Sequence, residues 1–385
     1  MRKDSKGMVT AAMARQSAQR AGKRAAAARL TIGMDLGDRT SRCCVLNEEG
    51  EVVGAHGVAT TRPGIKEAFG SLPASRIAIE VGTHSPWISR LLSTFGHEVI
   101  VANARKVRLI SQSGRKNDNV DAQTLARLAR VDPQLLSPVK HRSETAQTDK
   151  AAITVRADLV ETRTKLVNAV RGVIKPFGER IAACDADAFE MNKLAGLPKP
   201  LQEEVRPLVE VIEQLTKKIK AADKRIEQIA QRYPETKLLT QVYGVGSLIA
   251  LTFVLTLDDP HRFRHSRDAG CYVGLQPEQR SSGNSQPQLG ITRNGDRYLR
   301  CLLVQAAHCL LNQRAPDSDL KRWGTKLCSR GGKNARKRAV IAVARKLAVL
   351  LHRLWVTGEV YDPLYNAHAL EAAQAKRKAK RRNAA

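Results

Sequence analysis

Four carboxylates in this chain stand out by the company they keep. Asp35 closes the strand-like stretch "TIGMD", Glu80 closes "RIAIE", and Asp118 and Asp121 lie three apart at the head of "DNVDAQTLARLAR". Spacing of i and i+3 places the last two on one helix surface, and acids suit a helix N-terminus. Phosphodiester cleavage by two metals needs three or four converging carboxylates, so that ions about 4 Å apart hold the attacking and leaving oxygens. Mg²⁺ keeps several of its waters and takes only a couple of carboxylates per ion, so four acids suit it, with Mn²⁺ as a substitute. Taken singly, each acid reads as a surface carboxylate or a helix cap. Their consistent placement is what points to chemistry.

That placement follows from the elements around them. In "LTIGMD", Leu30, Ile32 and Met34 share one strand face, leaving Thr31, Gly33 and Asp35 on the other. In "RIAIEV", Ile77, Ile79 and Val81 alternate with Ala78 and Glu80. Both acids thus point away from the apolar face, and the small Gly33 and Ala78 leave room beside them. "RCCVLN" and "EVVGAHGVA" add two strands joined through Asn47 and Gly50. "RPGIKEAFGSL" predicts a short helix, "SPWISRLLSTFG" a helix from Ser85 and Pro86 to a stop at Gly96, and "EVIVAN" a fifth strand. The helix after Asp118 has Leu125, Leu128 and Ala129 as its apolar face. The order βββαβαβα predicts an α/β domain of RNase H-like fold. The stretch "GMDLGDRTS" would also serve the first phosphate loop of an ATPase of the actin and Hsp70 kind. That class needs a second Gly-rich loop with its own Asp and an adenosine motif. After residue 140 the chain offers helices and a "GVGS" with no acid beside it, which argues against ATP chemistry.

The middle of the chain changes character. Leu201, Val205, Leu208, Ile212, Leu215, Ile219, Ala222, Ile226 and Ile229 step by four and three, with Pro207 as a candidate helix start. Upstream, Ile153, Val160, Val167 and Ile174 repeat every seven, beside Leu159, Leu166 and Val173. Two long antiparallel helices forming a coiled-coil arm are expected, with ordinary bundle core as the alternative. Beyond Tyr233 and Pro234, "LLTQVYGVGSLIALTFVLTL" resembles half of a helix-hairpin-helix turning at Gly244–Gly246. A Gly/Ser/Gln/Pro-rich loop then leads into an amphipathic helix, and "NARKRAVIAVARKLAVLLHRLW" predicts a final helix with one basic face. The organisation expected is a basic arm at 1–29, a catalytic domain at 30–142, a helical arm at 143–233, a mainly helical domain at 234–357 and a basic tail at 358–385.

Composition names the partner class. Lys and Arg number 65 against 37 Asp and Glu, a net charge of +28, and removing the basic tails leaves a basic middle. Such an excess favours a polyanion, since each phosphate contact releases condensed counterions; nucleic acid is the first reading and an anionic membrane surface the weaker one. Seven cysteines without a CxxC pair suggest reduced thiols in a cytoplasmic protein, and no apolar run reaches membrane-spanning length. The N-terminus has no apolar h-region of a secretory signal.

At "GMDLG", "AIEVGTHSPW" and "RKNDNVDAQTLARLAR", followed by "GLQPEQRSSG" and "ITRNGDRYLR", the chain resembles the DEDD transposases of the insertion-sequence-110 family. The resemblance runs from Thr31 to about Trp355. It implies a RuvC-like N-terminal domain, a coiled-coil segment and a C-terminal transposase domain, in a bacterial or archaeal protein working at the nucleoid. It further implies an RNA-guided DNA recombinase, in which a structured bridge RNA pairs with donor and target DNA, and a homo-oligomer (dimer or tetramer). Asp35, Glu80, Asp118 and Asp121 match the DEDD metal ligands. Ser282 in "RSSG" matches the nucleophilic serine that becomes linked to a DNA 5′ phosphate, with Ser281 one step away in register. Asn117 stands where other members have Thr. A serine hydroxyl needs a base or metal to become a nucleophile. Arg280, Arg293 and Arg297 are close enough in sequence to offset charge on a phosphorane-like transition state. The resemblance implies that the serine loop and the acids form one composite active site. Two other functions compete: a Holliday-junction resolvase that needs the acids and uses water, and a non-catalytic nucleic-acid scaffold.

Overall fold

The computed structural model describes residues 30–103, 118–280 and 289–368, together with residues 282, 285 and 287. The expected basic arm, Asn117, Ser281 and the end of the basic tail lie outside the described residues, as does the side chain of Asp118. The chain divides into two compact units, Met1–Arg142 and Ser143–Ala385.

In the first unit the alternation of apolar residues becomes a five-stranded sheet. β1 (Thr31–Asp35), β2 (Thr40–Leu46) and β3 (Val52–Ala59) form an antiparallel meander, while β4 (Arg76–Glu80) and β5 (Glu98–Ala102) run parallel to β1. The strand order is β3-β2-β1-β4-β5. On one face Ile32, Met34, Cys43, Ile77 and Ile79 pack against Ile65 and Phe69 of α1 (Arg62–Phe69) and Ile88 and Leu92 of α2 (Ser85–Thr94). The other face, with Gly33, Cys44 and Ala78, takes α3 (Asp118–Val131) through Ala122, Leu125, Ala126 and Ala129. The order of strands and helices is the one expected. One detail differs: Ser85 lies inside α2 and His84 occupies the cap position, because the Ser85 hydroxyl is engaged with Gly82.

Small residues let α3 lie close to the sheet. A Cβ built on Gly33 would stand 1.9 Å from the carbonyl oxygen of Ala122 and 2.5 Å from the amide nitrogen of Ala126. Helix backbone therefore rests directly on strand backbone, and only glycine fits.

The second unit opens with α4 (Glu144–Ile174) and α5 (Lys199–Gln231). They pack antiparallel: Arg232 meets Asp149, Arg156 meets Asp223 at 2.8 Å, and Arg163 donates to Thr216 at 3.2 Å. The connection holds three short 3-10 turns, and Phe189, Leu194 and Leu197 from it cap the seam. Two expectations need correction. Pro207 does not start α5; it sits inside it, held there by the buried Val205 and Val209. The buried stripe also takes Val209 and Thr216 in place of Leu208 and Leu215, which are half-buried. A straight helix drifts by roughly 20° per heptad against a strict seven-residue repeat, so the contact line moves over by one residue.

The rest is helical: α6 (Glu235–Leu239), α7 (Ser247–Leu257), α8 (Arg267–Tyr272), α9 (Arg297–Leu310), α10 (Asp319–Cys328) and α11 (Ala335–Thr357). The "GVGS" turn links α6 to α7, with Gly244 at φ +82°. Ile249 to Leu257 of α7 are all buried, so this helix is apolar all round and forms the centre of the unit. Asp149 of α4 is buried and accepts from the Tyr233 hydroxyl at 2.7 Å and from Arg232. Burial, and then that bond to Asp149, push the Tyr233 hydroxyl up to about 12. Among the described residues no helix is long and apolar enough to cross a membrane.

Candidate active site

Asp35 and Glu80 are the last residues of β1 and β4, which are parallel neighbours with Met34 opposite Ile79. Both acids therefore leave the sheet at its carboxyl end. They lie on the face that α3 covers, because Gly33 and Ala78, two residues earlier, face that helix. α3 runs antiparallel to these strands. Its C-terminal end lies over their starts, where Arg76 donates to the Ala129 carbonyl at 3.1 Å and Arg130 to that of Glu48. Its first turn, with Asp118 and Asp121, is directed to the end that carries Asp35 and Glu80. Asp121 is half-buried and immediately precedes Ala122, whose carbonyl lies on Gly33.

Three elements thus bring Asp35, Glu80 and Asp121 to one end of one face. Among the described residues, however, no three His, Cys, Asp or Glu side chains are close enough together to hold a metal ion. The donors suit a hard divalent cation, being carboxylates only. The room expected beside them at Gly33 and Ala78 is instead filled by α3, whose backbone rests on Gly33 and whose Leu125 and Ala129 pack with Ala78. Thiolate ligation is disfavoured on both faces of the sheet, Cys44 lying under α3 and Cys43 on the opposite face. Burial pushes the Cys43 thiol up to about 12, and burial also raises Cys44, opposed by Arg127.

The loops that follow the two acids hold polar groups that sequence reasoning missed. His84, after β4, meets Asp38, after β1, through Nε2 and Oδ1 at 3.2 Å. The Trp87 indole N–H donates to His84 Nδ1 at 3.1 Å. An indole only donates, so Nδ1 accepts and the proton of the neutral ring stays on Nε2, facing Asp38. Below this pair, the buried Ser41 and Thr60 hydroxyls meet at 2.8 Å, and Thr60 donates to the Gly37 carbonyl at 2.9 Å, fixing the turn after Asp35. The one available signal was that "GDRT" and "THSPW" sit just beyond the two acids.

Ser282 belongs to the second unit. The Gly/Ser/Gln/Pro-rich segment folds back on itself: Thr292 N–H donates to the Gln276 carbonyl at 3.0 Å and Glu278 N–H to that of Gly290 at 2.8 Å. At the tip Ser282 and Ser285 exchange backbone hydrogen bonds of 3.3 and 3.0 Å, and both are exposed. The neck is pinned. Gly274 (φ +71°) lies against Asn294, and Gly295 (φ +73°) against the Tyr272 carbonyl. Arg300 donates to the carbonyls of Val273 and Asn294. Asp296 caps α9 through Leu299 N–H and holds Lys150 at 2.7 Å. Of the three arginines, Arg280 lies two residues from Ser282 and is paired with Glu278 at 3.0 Å, whereas Arg293 and Arg297 stand at the neck, the end opposite the serine.

Two family models match this chain. That of the DEDD transposases of IS110 elements covers residues 32–177, and that described as transposase IS116/IS110/IS902 family covers residues 236–322. The chain is 27% identical over 338 residues to the transposase for insertion sequence element IS1111A of Coxiella burnetii, covering 86% of this chain and 90% of that one. It is 28% identical over 341 residues to a probable family 20 transposase of Pseudomonas aeruginosa (86% and 98%). It is 26% identical over 343 residues to the transposase for insertion sequence element IS1328 of Yersinia enterocolitica (86% and 98%). The acids fall within the first matched segment and the serine turn within the second, and the chain belongs to the IS110 family of insertion-sequence transposases.

Proposed function

We propose that this transposase cleaves and rejoins DNA with Ser282 as nucleophile and with Asp35, Glu80, Asp118 and Asp121 as ligands of divalent metal, Mg²⁺ or Mn²⁺. The observation that carries the reading is that two parallel strand ends and the first turn of α3 lie at the same end of one sheet face, so that acids from three elements share that end. This arrangement supports an RNase H-like, RuvC-like assignment for the first unit. When bound, the metal supplies positive charge and polarises the oxygens at the reacting phosphate.

The protein's own groups do the rest. The Ser282 Oγ attacks the scissile phosphorus, an Oγ–P bond forms, and the P–O3′ bond breaks. The serine proton passes to solvent or a nearby base, the departing 3′ oxygen takes a proton in turn, and the DNA is left joined through its 5′ phosphate. Rejoining reverses these steps with a different 3′ hydroxyl. An exposed tip suits Ser282 because the hydroxyl must reach a phosphate on a bulky duplex, and the pinned neck limits the positions it samples. Arg280, two residues away, is the arginine best placed to answer charge at that phosphate. Donor and target DNA are the substrates, with a structured guide RNA selecting them and a homo-oligomer (dimer or tetramer) holding two DNA segments at once.

The test is a protein–DNA adduct that survives denaturation. Wild-type protein with RNA, Mg²⁺ and cognate DNA should form it. Ser282→Ala should lose both adduct and strand exchange yet still bind nucleic acid, and Ser281→Ala should retain both. Glu80→Gln and Asp121→Asn should lose recombination with binding nearly intact. Cleavage without an adduct would instead mean a resolvase that uses water. Full recombination by the acid variants would remove the metal centre from the mechanism.

A further inference from the structure

From Leu320 to Gly358 the chain contains no Asp or Glu. Several cations of this stretch are engaged within the fold. Arg322 pairs with Asp317 at 2.6 Å, Arg353 pairs with Glu359 at 2.9 Å, Lys321 donates to the Gln313 and Ala315 carbonyls, and Lys346 lies over the Trp323 ring at 4.2 Å. Six others are not. Lys326, Arg330, Lys333, Arg336, Lys337 and Arg338 are all exposed, and none has an ion-pair partner among the described residues. They occupy the end of α10, the connection after it and the first turn of α11.

This arrangement works against the fold. Lys326 with Arg330, and Lys333 with Lys337, are like charges four apart. Arg336, Lys337 and Arg338 place three cations at a helix N-terminus, where the helix dipole favours anions and where this helix carries no acid. A polyanion laid across the turn relieves both kinds of repulsion. Gly331 and Gly332, consecutive and left-handed at φ +76° and +93°, remove side chains from the centre of the turn, so its backbone stays open to a phosphate. Among the described residues no exposed aromatic ring accompanies the cations, and Trp323 is covered by Lys346. A single strand would need such rings as stacking platforms, so the surface fits the phosphate backbone of a duplex.

We propose that the α10–α11 turn grips the backbone of duplex DNA without reading its sequence. The duplex is DNA because an insertion-sequence transposase must hold the DNA it rearranges. The inference thus rests on the recombinase reading above. Binding is measured without metal or cleavage, so a failure of the serine or metal chemistry leaves this test unaffected.

The experiment measures the affinity of the full chain for a short DNA duplex of arbitrary sequence as a function of salt. Each phosphate contact contributes about 0.9 to the slope of log affinity against log salt. Changing all six cations to Gln should reduce the slope by about five. Between 50 and 200 mM salt, wild type should then lose roughly 10³-fold more affinity than the variant. Changing Lys217, Lys218, Lys220 and Lys224 on α5, which are also exposed, should leave the slope unchanged. The thermal midpoint of the six-fold variant should equal or exceed that of wild type, because repulsion at the α11 N-terminus is removed. If that variant fails to fold, Arg336→Gln with Arg338→Gln carries the test, with an expected slope change of about two. An unchanged DNA slope overturns the proposal. So does an equal loss in the α5 control, which would assign binding to total charge, or a loss confined to structured RNA, which would give this surface to the guide.

Discussion

Gly33→Ala is the smallest change that should disable the candidate metal site without touching a carboxylate. The new Cβ would lie 1.9 Å from the Ala122 carbonyl oxygen and 2.5 Å from the Ala126 amide nitrogen, both backbone atoms. Ordinary carbon contacts begin near 3.5 Å, so α3 must lift from β1 by about 1.5 Å or the strand must bow by as much. Overpacking of this kind costs about 1–3 kcal/mol where side chains can adjust. Here only backbone can yield, which puts the cost at or above the top of that range. The gain from replacing a strand glycine, roughly 0.5–1 kcal/mol, offsets only part of it. A net loss of roughly 2–3 kcal/mol is expected. Because Asp121 adjoins Ala122, a displacement of an ångström or more should also reduce recombination on the order of 10²-fold. Trp87 is the tryptophan of the first unit, so with Trp323 and Trp355 changed to Phe its fluorescence during urea unfolding reports that unit. Gly54→Ala on β3 is the control. Its Cβ would meet Val45 at 3.8 Å, an ordinary contact, and stability should hold or rise slightly. If Gly33→Ala matches Gly54→Ala in urea midpoint and keeps recombination within threefold of wild type, α3 does not rest on β1 as described.

Two further outcomes concern the second unit. Ile219→Lys with Ile226→Lys places two charges in the α4–α5 seam, where these residues are 4% and 2% exposed. Each should cost roughly 3–5 kcal/mol, and unchanged helicity by circular dichroism would refute the packing. Tyr233, whose hydroxyl is raised to about 12 from the ordinary tyrosine value of 10.0, binds its proton more tightly when folded. Its contribution is complete below about pH 10, the unfolded value, and is lost as pH rises through about 12. The difference in urea midpoint between wild type and Tyr233→Phe should therefore shrink from pH 9 to pH 12, and a constant difference would exclude the linkage.

What could be read from the sequence was what a period encodes. Alternation of Ile32 and Met34 with Gly33, and of Ile77 and Ile79 with Ala78, gave both the sheet faces and the direction of the two strand-end acids. The same reasoning misjudged α5. Pro207 is a breaker by propensity, yet buried neighbours on either side carry the helix through it. Nothing periodic marks His84 and Asp38, two polar residues in separate turns that only the pairing of β1 with β4 brings together. Sequence proximity also misled at the serine loop. Arg293 is eleven residues from Ser282, but the loop's antiparallel pairing carries it back to the neck.

That loop has a consequence for rate as well as position. Ser282 is six steps along the chain from Gln276, which pairs with Thr292, so at about 3.3 Å per step the hydroxyl stands no more than roughly 20 Å from that anchor. Under the proposal that Ser282 is the nucleophile, a group on so short a tether acts as though dissolved at high effective concentration, of about millimolar order, within the small volume it can sweep. Lengthening the loop would dilute that group while leaving every contact at the neck in place. On that proposal the spacing between neck and tip becomes a kinetic parameter, set by chain length alone.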